Sequence, residues 1–164
     1  MSQTDKVLFL DPRKCTGCLL CSLACSMKHE GYFSLVHARN EIIRLPGKGL
    51  NANVVCRQCT DPPCEMVCPR RAISRDAQTG ALVIDDDRCI GCQSCVLACP
   101  IGGVAKNMDT GRIIKCNLCD GDPECAKNCA YGAITYVHMN EGMSAKRKSV
   151  VEALGKYQEV LDEV

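Results

Sequence analysis

Sixteen of the 164 residues are cysteine, and they fall into four groups. These are Cys15, Cys18, Cys21, Cys25; then Cys56, Cys59, Cys64, Cys68; then Cys89, Cys92, Cys95, Cys99; and last Cys116, Cys119, Cys125, Cys129. The first and third groups read C-x2-C-x2-C-x3-C, and the second and fourth are the same run with its middle gap widened to four and then five residues. Three thiolates spaced in this way can wrap a loop around three iron corners of a cubane, while the tightly turning backbone points N–H groups at the sulfurs. The run, followed by proline as in Cys99-Pro100, is one that holds a [4Fe–4S] cluster. Its fourth cysteine usually reaches the other cluster of a pair, so two runs must pack together and the cofactor becomes part of folding. Gly17 and Gly91 suit a cysteine loop that leaves little room for Cβ and needs positive φ.

Other uses of cysteine fit less well. All-cysteine zinc sites use C-x2-C pairs, but two well-separated ones, without a third cysteine in the same tight run. Disulfides fit the even count but need an oxidising compartment. Met1 to Lys14 offers only Val7-Leu8-Phe9-Leu10 as an apolar run, with no basic stretch before it, so no export signal is expected. A reduced, cytoplasmic setting without membrane attachment follows as an expectation. With all sixteen ligand positions filled, full [4Fe–4S] sites are expected rather than [3Fe–4S]. Trp is absent and Phe occurs twice, so the ordinary apolar core must be thin and clusters must fill part of the interior. The formal charge of +1 supplies no basic field for nucleic acid.

The elements that position the cysteines repeat along the chain. Residues 7–25 align with 81–99, matching Leu8 with Leu82, Asp11 with Asp85, Gly17 with Gly91 and Ala24 with Ala98; Cys68 to Ile73 matches Cys129 to Ile134. Two halves, about 1–75 and 76–140, would each hold a tight run followed by a widened one. Val7–Leu10, Asn53–Val55, Ala81–Ile84 and Ala133–Val137 read as strands. Ser22–Ala24 and Val96–Ala98 suit short helices leading to the fourth cysteines, with loops dominating elsewhere. The expected class is therefore α+β, a duplicated bacterial dicluster-ferredoxin fold. From Ser144 onward, Val150, Leu154, Tyr157, Leu161 and Val164, with Val151 and Val160 beside them, form the stripe of a C-terminal amphipathic helix able to dock on its own domain or on a partner.

No nucleophile elbow, phosphate loop or catalytic carboxylate pair is present, and every cysteine is already used. His29, His37 and His138 read as structural or surface residues, because a cysteine stands at each expected ligand position. The expected role is electron transfer without catalysis. If each oxidised cluster with its thiolates contributes about −2, four add about −8 and bring the holoprotein to about −7. Arg13, Lys14, Arg57, Arg70, Arg71, Arg88 and Lys115 flank the runs; those near a cluster would favour its reduced state and raise its potential, and most are expected to be ordinary solvated charges.

These runs, together with the N-terminal L-x-x-R-K-C-x-G-C-x-x-C, resemble the four-cluster iron–sulfur subunits of molybdenum and tungsten oxidoreductases, of the dimethyl sulfoxide reductase type. The segment CSMKHEGYFSLVHARNEIIRL is most similar to the electron-transfer subunit of bacterial tungsten aldehyde oxidoreductases, and the likeness covers about residues 5–140. The resemblance implies a nested pairing. Cys15, Cys18, Cys21 and Cys129 would hold one cluster and Cys116, Cys119, Cys125 and Cys25 its mate; Cys56, Cys59, Cys64 and Cys99, then Cys89, Cys92, Cys95 and Cys68, would hold the inner pair. Residues 1–35 with 108–140 would form the outer module, 36–107 the inner one, and 141–164 a helical segment. The implied partners are a large tungsten or molybdenum aldehyde-oxidising subunit and a flavin-containing or other acceptor. A formate dehydrogenase, carbon monoxide dehydrogenase or hydrogenase is the alternative donor, and a zinc-stapled module without redox role the alternative class. End-to-end association of copies is a further expectation. The family's proline after the fourth cysteine stands at Pro69 and Pro100 but is replaced by Ser26 and Ala130, so the surroundings of the outer pair are expected to depart from the family's pattern.

Overall fold

The computed structural model describes residues 5–162, with side chains to residue 152 apart from Lys48. Cysteine runs alternate with two-stranded antiparallel sheets. Strand β1 (Lys6–Leu10) leads through a 3-10 turn into the first run and helix α1 (Leu20–Glu30). The hairpin β2 (Asn40–Leu45) and β3 (Leu50–Val55) follows, then the second run with α2 (Pro63–Met66). Next come β4 (Ile73–Arg75) and β5 (Leu82–Ile84), the third run with α3 (Ser94–Ala98), and β6 (Val104–Lys106) with β7 (Ile113–Lys115). The fourth run carries α4 (Glu124–Lys127); β8 (Ile134–His138) and α5 (Met139–Asp162) end the described chain. Strand β8 returns to pair with β1, Leu8 opposite Tyr136, so the order of runs closes on itself.

The hairpins β4–β5 and β6–β7 turn alike. Asp76 Oδ1 accepts the Gln78 and Thr79 N–H groups at 3.2 and 2.8 Å; Asn107 Oδ1 accepts those of Asp109 and Thr110 at 3.0 and 3.1 Å. In both, the short polar side chain fixes the turn, and a glycine at positive φ, Gly80 or Gly111, completes it.

The apolar core is thin and contains the cysteines themselves. One cluster joins Leu8, Val55, Ala81, Leu118 and Ile134 to Cys21, Cys56, Cys116 and Cys125. The other joins Ile73, Leu82, Val104 and Ile113 to Cys64 and Cys95.

The four expected strands are present as β1, β3, β5 and β8, but β2, β4, β6 and β7 were not expected and loops do not dominate. Strands of three residues pair in hairpins without a readable periodic pattern. Helix α1 runs well past Ala24 to Glu30, and α5 begins at Met139, ahead of Ser144. Its first turn lies on the β1–β8 sheet: a Cβ at Gly142 would stand 3.5 Å from Val137 and 3.6 Å from Phe9. Further on, the Ser149 carbonyl accepts from Arg13 at 3.4 Å, and Val150 and Val151 are exposed. The side chains of Leu154, Tyr157, Val160 and Leu161, and the whole of Val164, lie outside the described residues. No helix among the described residues is long and apolar enough to cross a membrane.

Candidate iron–sulfur centres

Two cavities are lined by cysteines from different runs. One collects Cys15, Cys18 and Cys21 of the first run with Cys129 of the fourth. The other collects Cys89, Cys92 and Cys95 of the third run with Cys68 of the second. Between these cavities the remaining thiols influence one another electrostatically. Cys125 feels Cys116, Cys25 and Cys119, and Cys64 feels Cys56 and Cys99. Further influences join these groups in one order: Cys21 acts on Cys125, Cys56 on Cys116, and Cys64 on Cys95. A close approach supports the Cys56 and Cys99 neighbourhood, because a Cβ at Gly103 would fall 2.8 Å from the Cys56 Cα. Cys59 is half-buried, and its carbonyl accepts from Arg75.

The local chain explains these positions. Gly17 and Leu19 flank Cys18 at φ 70° and 67°, and Gly91 and Gln93 flank Cys92 at 67° and 66°. Left-handed residues alternating in this way curl the backbone so that its N–H groups line a concavity suited to negative charge. Strand β3 then holds the first loop from one face: Asn51 donates to the Cys15 carbonyl at 3.1 Å and, two residues on, Asn53 donates to Cys21 Sγ at 3.4 Å. From β2, Arg44 donates to the Gly17 carbonyl at 2.7 Å.

The surroundings suit sulfur that carries negative charge. Backbone N–H groups point at Cys25 from Arg39 (3.3 Å), Cys68 from Ala72 (3.3 Å), Cys99 from Gly103 (3.2 Å) and Cys116 from Leu118 (3.4 Å). Buried Asn40 makes no protein hydrogen bond of ordinary geometry but lies near enough to Cys21 to lower its thiol, as a donor directed at the sulfur does. Burial pushes the free thiol of Cys25 up to about 11 and that of Cys116 up to about 12, and drives Cys125 upward too. Cys21, Cys64, Cys95 and Cys119 rise for the same reason. Left alone these groups would stay protonated and inert; bound iron would supply the positive charge that makes them thiolates. Exposed Cys92 is lowered instead, by hydrogen bonding to Ser94. Among the described residues no three His, Cys, Asp or Glu side chains converge as a single ion requires. Thiolates around a cubane stand wider apart than the four around one zinc.

The comparisons with known proteins point to the same kind of cofactor. The profile of the 4Fe-4S dicluster domain matches residues 50–139. The polyferredoxin-like subunit of an aliphatic sulfonate oxidoreductase from Pyrococcus furiosus is 40% identical over 124 residues, 74% of this chain and 70% of that one. Electron transport protein HydN of Escherichia coli is 32% identical over 169 residues, covering 88% of this chain and 95% of its own. The thiosulfate reductase electron transfer subunit PhsB of Salmonella typhi is 35% identical over 152 residues, covering 82% and 77%. The chain belongs to the 4Fe-4S dicluster family. As a dicluster protein it carries [4Fe–4S] clusters and transfers electrons; it is not a catalyst on its own.

Around the thiols, this dicluster protein uses charges that the run-flanking pattern ranks poorly. Of the seven basic residues beside the runs, Arg13 is paired with Asp11 at 3.0 Å. Lys14, Arg57, Arg70, Arg71 and Arg88 are exposed, and Lys115 alone of the seven is buried. Arg39, outside every run, acts on Cys25 and Cys119. His37 is structural, its Nδ1 2.8 Å from the Tyr32 hydroxyl and its Nε2 3.0 Å from Asp109, while the His138 Nδ1 is buried without a partner. His29 departs from the bland expectation: its Nε2 lies 3.5 Å from Cys119 Sγ, and burial holds it down at about 4, so it stays neutral at pH 7. Sequence reasoning missed Arg39, Asn40, Asn53 and His29 at the thiols. The two asparagines carried a signal, as polar interruptions in the strands beside the first run.

Proposed function

We propose that this chain is a linear relay of four [4Fe–4S] clusters in an oxidoreductase complex. The ligand sets are Cys15, Cys18, Cys21 and Cys129; Cys116, Cys119, Cys125 and Cys25; Cys56, Cys59, Cys64 and Cys99; and Cys89, Cys92, Cys95 and Cys68. In this reading residues 1–35 and 108–140 form the outer module, 36–107 the inner one, and 141–164 the helical segment of a duplicated ferredoxin. The observation that carries it is the order of the thiol neighbourhoods, from the cavity of Cys18 through the Cys125 and Cys64 groups to the cavity of Cys92. Each bound cluster would accept and release one electron. The protein's part is to hold neighbouring sites close, direct N–H groups at the sulfurs and keep water from the middle of the path. Cys18 and Cys92 are the two exposed cysteines, and they fall at opposite ends of that order. Electrons would enter and leave there.

The donor we favour is a tungsten or molybdenum aldehyde-oxidising subunit, with a flavin subunit or soluble carrier as acceptor, in the cytoplasm. The segment from Cys25 to Leu45 motivates the aldehyde substrate; relatives named for sulfonate and thiosulfate chemistry support an oxidoreductase partner of that broader kind. Copies meeting end to end would lengthen the relay. The test is the native complex, purified without oxygen: about four iron and four sulfide for each of four clusters, with a large tungsten or molybdenum subunit co-purifying. A colourless, zinc-containing protein without acid-labile sulfide would sink the relay. A formate, carbon monoxide or hydrogen enzyme in the large-subunit position would replace the donor alone.

A further inference from the structure

Lys115, the last residue of β7, is 3% exposed. Its ammonium donates to the carbonyls of Leu82 and Cys116, the latter at 3.2 Å, and no carboxylate pairs with it among the described residues. A second cation reaches the backbone of the same residue, since Arg39 donates to the Lys115 carbonyl at 3.3 Å. Burying a cation without an anion is costly, so native proteins give such a charge a negative partner. The acceptors show where that partner must lie. Leu82 belongs to one core cluster and Cys116 to the other, so the ammonium sits at the seam of the two. The Leu82 cluster includes the buried Cys64, so thiols of both groups lie around the seam.

We propose that Lys115 is a positioning residue of the relay, its buried ammonium being the shared counter-charge of the two central clusters. This rests on the ligand sets above, in which Cys116 and Cys64 belong to neighbouring clusters. The physical need follows from their place in the row. A central cluster has a negative neighbour on each side and an end cluster on one, so repulsion would make the middle the hardest place to add an electron. A cation at the seam stabilises the more negative reduced state more than the oxidised one and raises both central potentials. Because the charge is buried, salt screens the effect little. Hydrogen bonding to two carbonyls holds it at that seam.

The test is an anaerobic redox titration followed by electron paramagnetic resonance on the full-length holoprotein, comparing Lys115→Gln, which keeps a donor without charge, with Lys115→Met and Lys115→Arg. The expected result is a full complement of iron in Gln, a downward shift of two of the four midpoint potentials with the other two unmoved, and recovery towards wild type in Arg. A Gln variant with full iron and four unchanged potentials overturns the proposal, as does an equal shift of all four. Loss of iron from both Gln and Met overturns it too, because the lysine is then a structural tie. A wild-type protein with fewer than four clusters instead marks failure of the ligand sets, before any variant is compared.

Discussion

The first and third runs have the same cysteine spacing and the same left-handed residues around the second cysteine, yet they part company after the fourth. Pro100 follows Cys99, and a residue before proline is driven to extended backbone; Cys99 sits at φ −76° and ψ 113°, and α3 ends after five residues. Its sulfur then takes an N–H from Gly103, four residues on, as Cys68 before Pro69 does from Ala72. Ser26 imposes no such stop. Helix α1 continues to Glu30, where Gly31 at φ 80° ends it, and Cys25 is left inside the helix. Its sulfur is served instead by the N–H of Arg39, fourteen residues away. Ser26, fully buried, braces the detour by donating to the Leu23 carbonyl at 3.0 Å and accepting from the Ser34 N–H at 2.9 Å. One substitution thus exchanges a local donor for a distant one and ties Cys25 to the chain that follows.

Removing the third cysteine of each run breaks the comparison most severely. Cys21→Ala and Cys95→Ala should each lose one cluster, roughly a quarter of the iron, from the outer and inner module respectively; iron counting with spectroscopy checks this, and an unchanged count refutes the ligand sets. Exchanging the residues after the fourth cysteines comes next. Ser26→Pro places proline inside α1 and should destabilise the holoprotein by about 3 kcal/mol, whereas Pro100→Ser should cost under about 1 kcal/mol. Anaerobic thermal unfolding measures both, and equal losses would end the claim that the two runs differ here.

The matched glycines give a smaller contrast. Gly17→Ala and Gly91→Ala each put a side chain in the left-handed region, costing about 1–2 kcal/mol. At Gly17 the new Cβ would also stand 2.9 Å from Asn51 Oδ1, while at Gly91 the nearest atom is 3.7 Å away. Gly17→Ala should therefore unfold at the lower temperature. Smallest of all is Asn53→Ala, which removes the side-chain donor to Cys21 and should lower one outer potential with iron content intact. Redox titration detects it; a shift in an inner signal would place Asn53 at the wrong cluster.

The cysteine runs, the strands beside them and the cofactor were readable in the sequence because metal ligation restricts spacing more tightly than packing does. The positive φ at Gly17 and Gly91 was readable for the same reason. Leu19 and Gln93 were not: their left-handed backbone comes from the loop geometry, against residue preference. Strands β4 and β6 escaped because three residues show no period, although the shared Asx turns at Asp76 and Asn107 mark both hairpins. The replacement at Ser26 was visible, but its consequence, a longer helix and a donor from Arg39, depends on contacts far along the chain. Lys115 looked like six other basic residues until burial separated it from them.

The pairing of β1 with β8 places Val7 opposite Val137, and this affects the order in which the protein can be made. During synthesis, the hairpins β2–β3, β4–β5 and β6–β7 can form as they emerge, since their partners are local. The proposed inner sites have all their ligands by Cys99, but the outermost cavity must wait for Cys129 and for β8 to return. Maturation would then proceed from the inside outwards, and the Cys18 terminal would be the last part to become conducting.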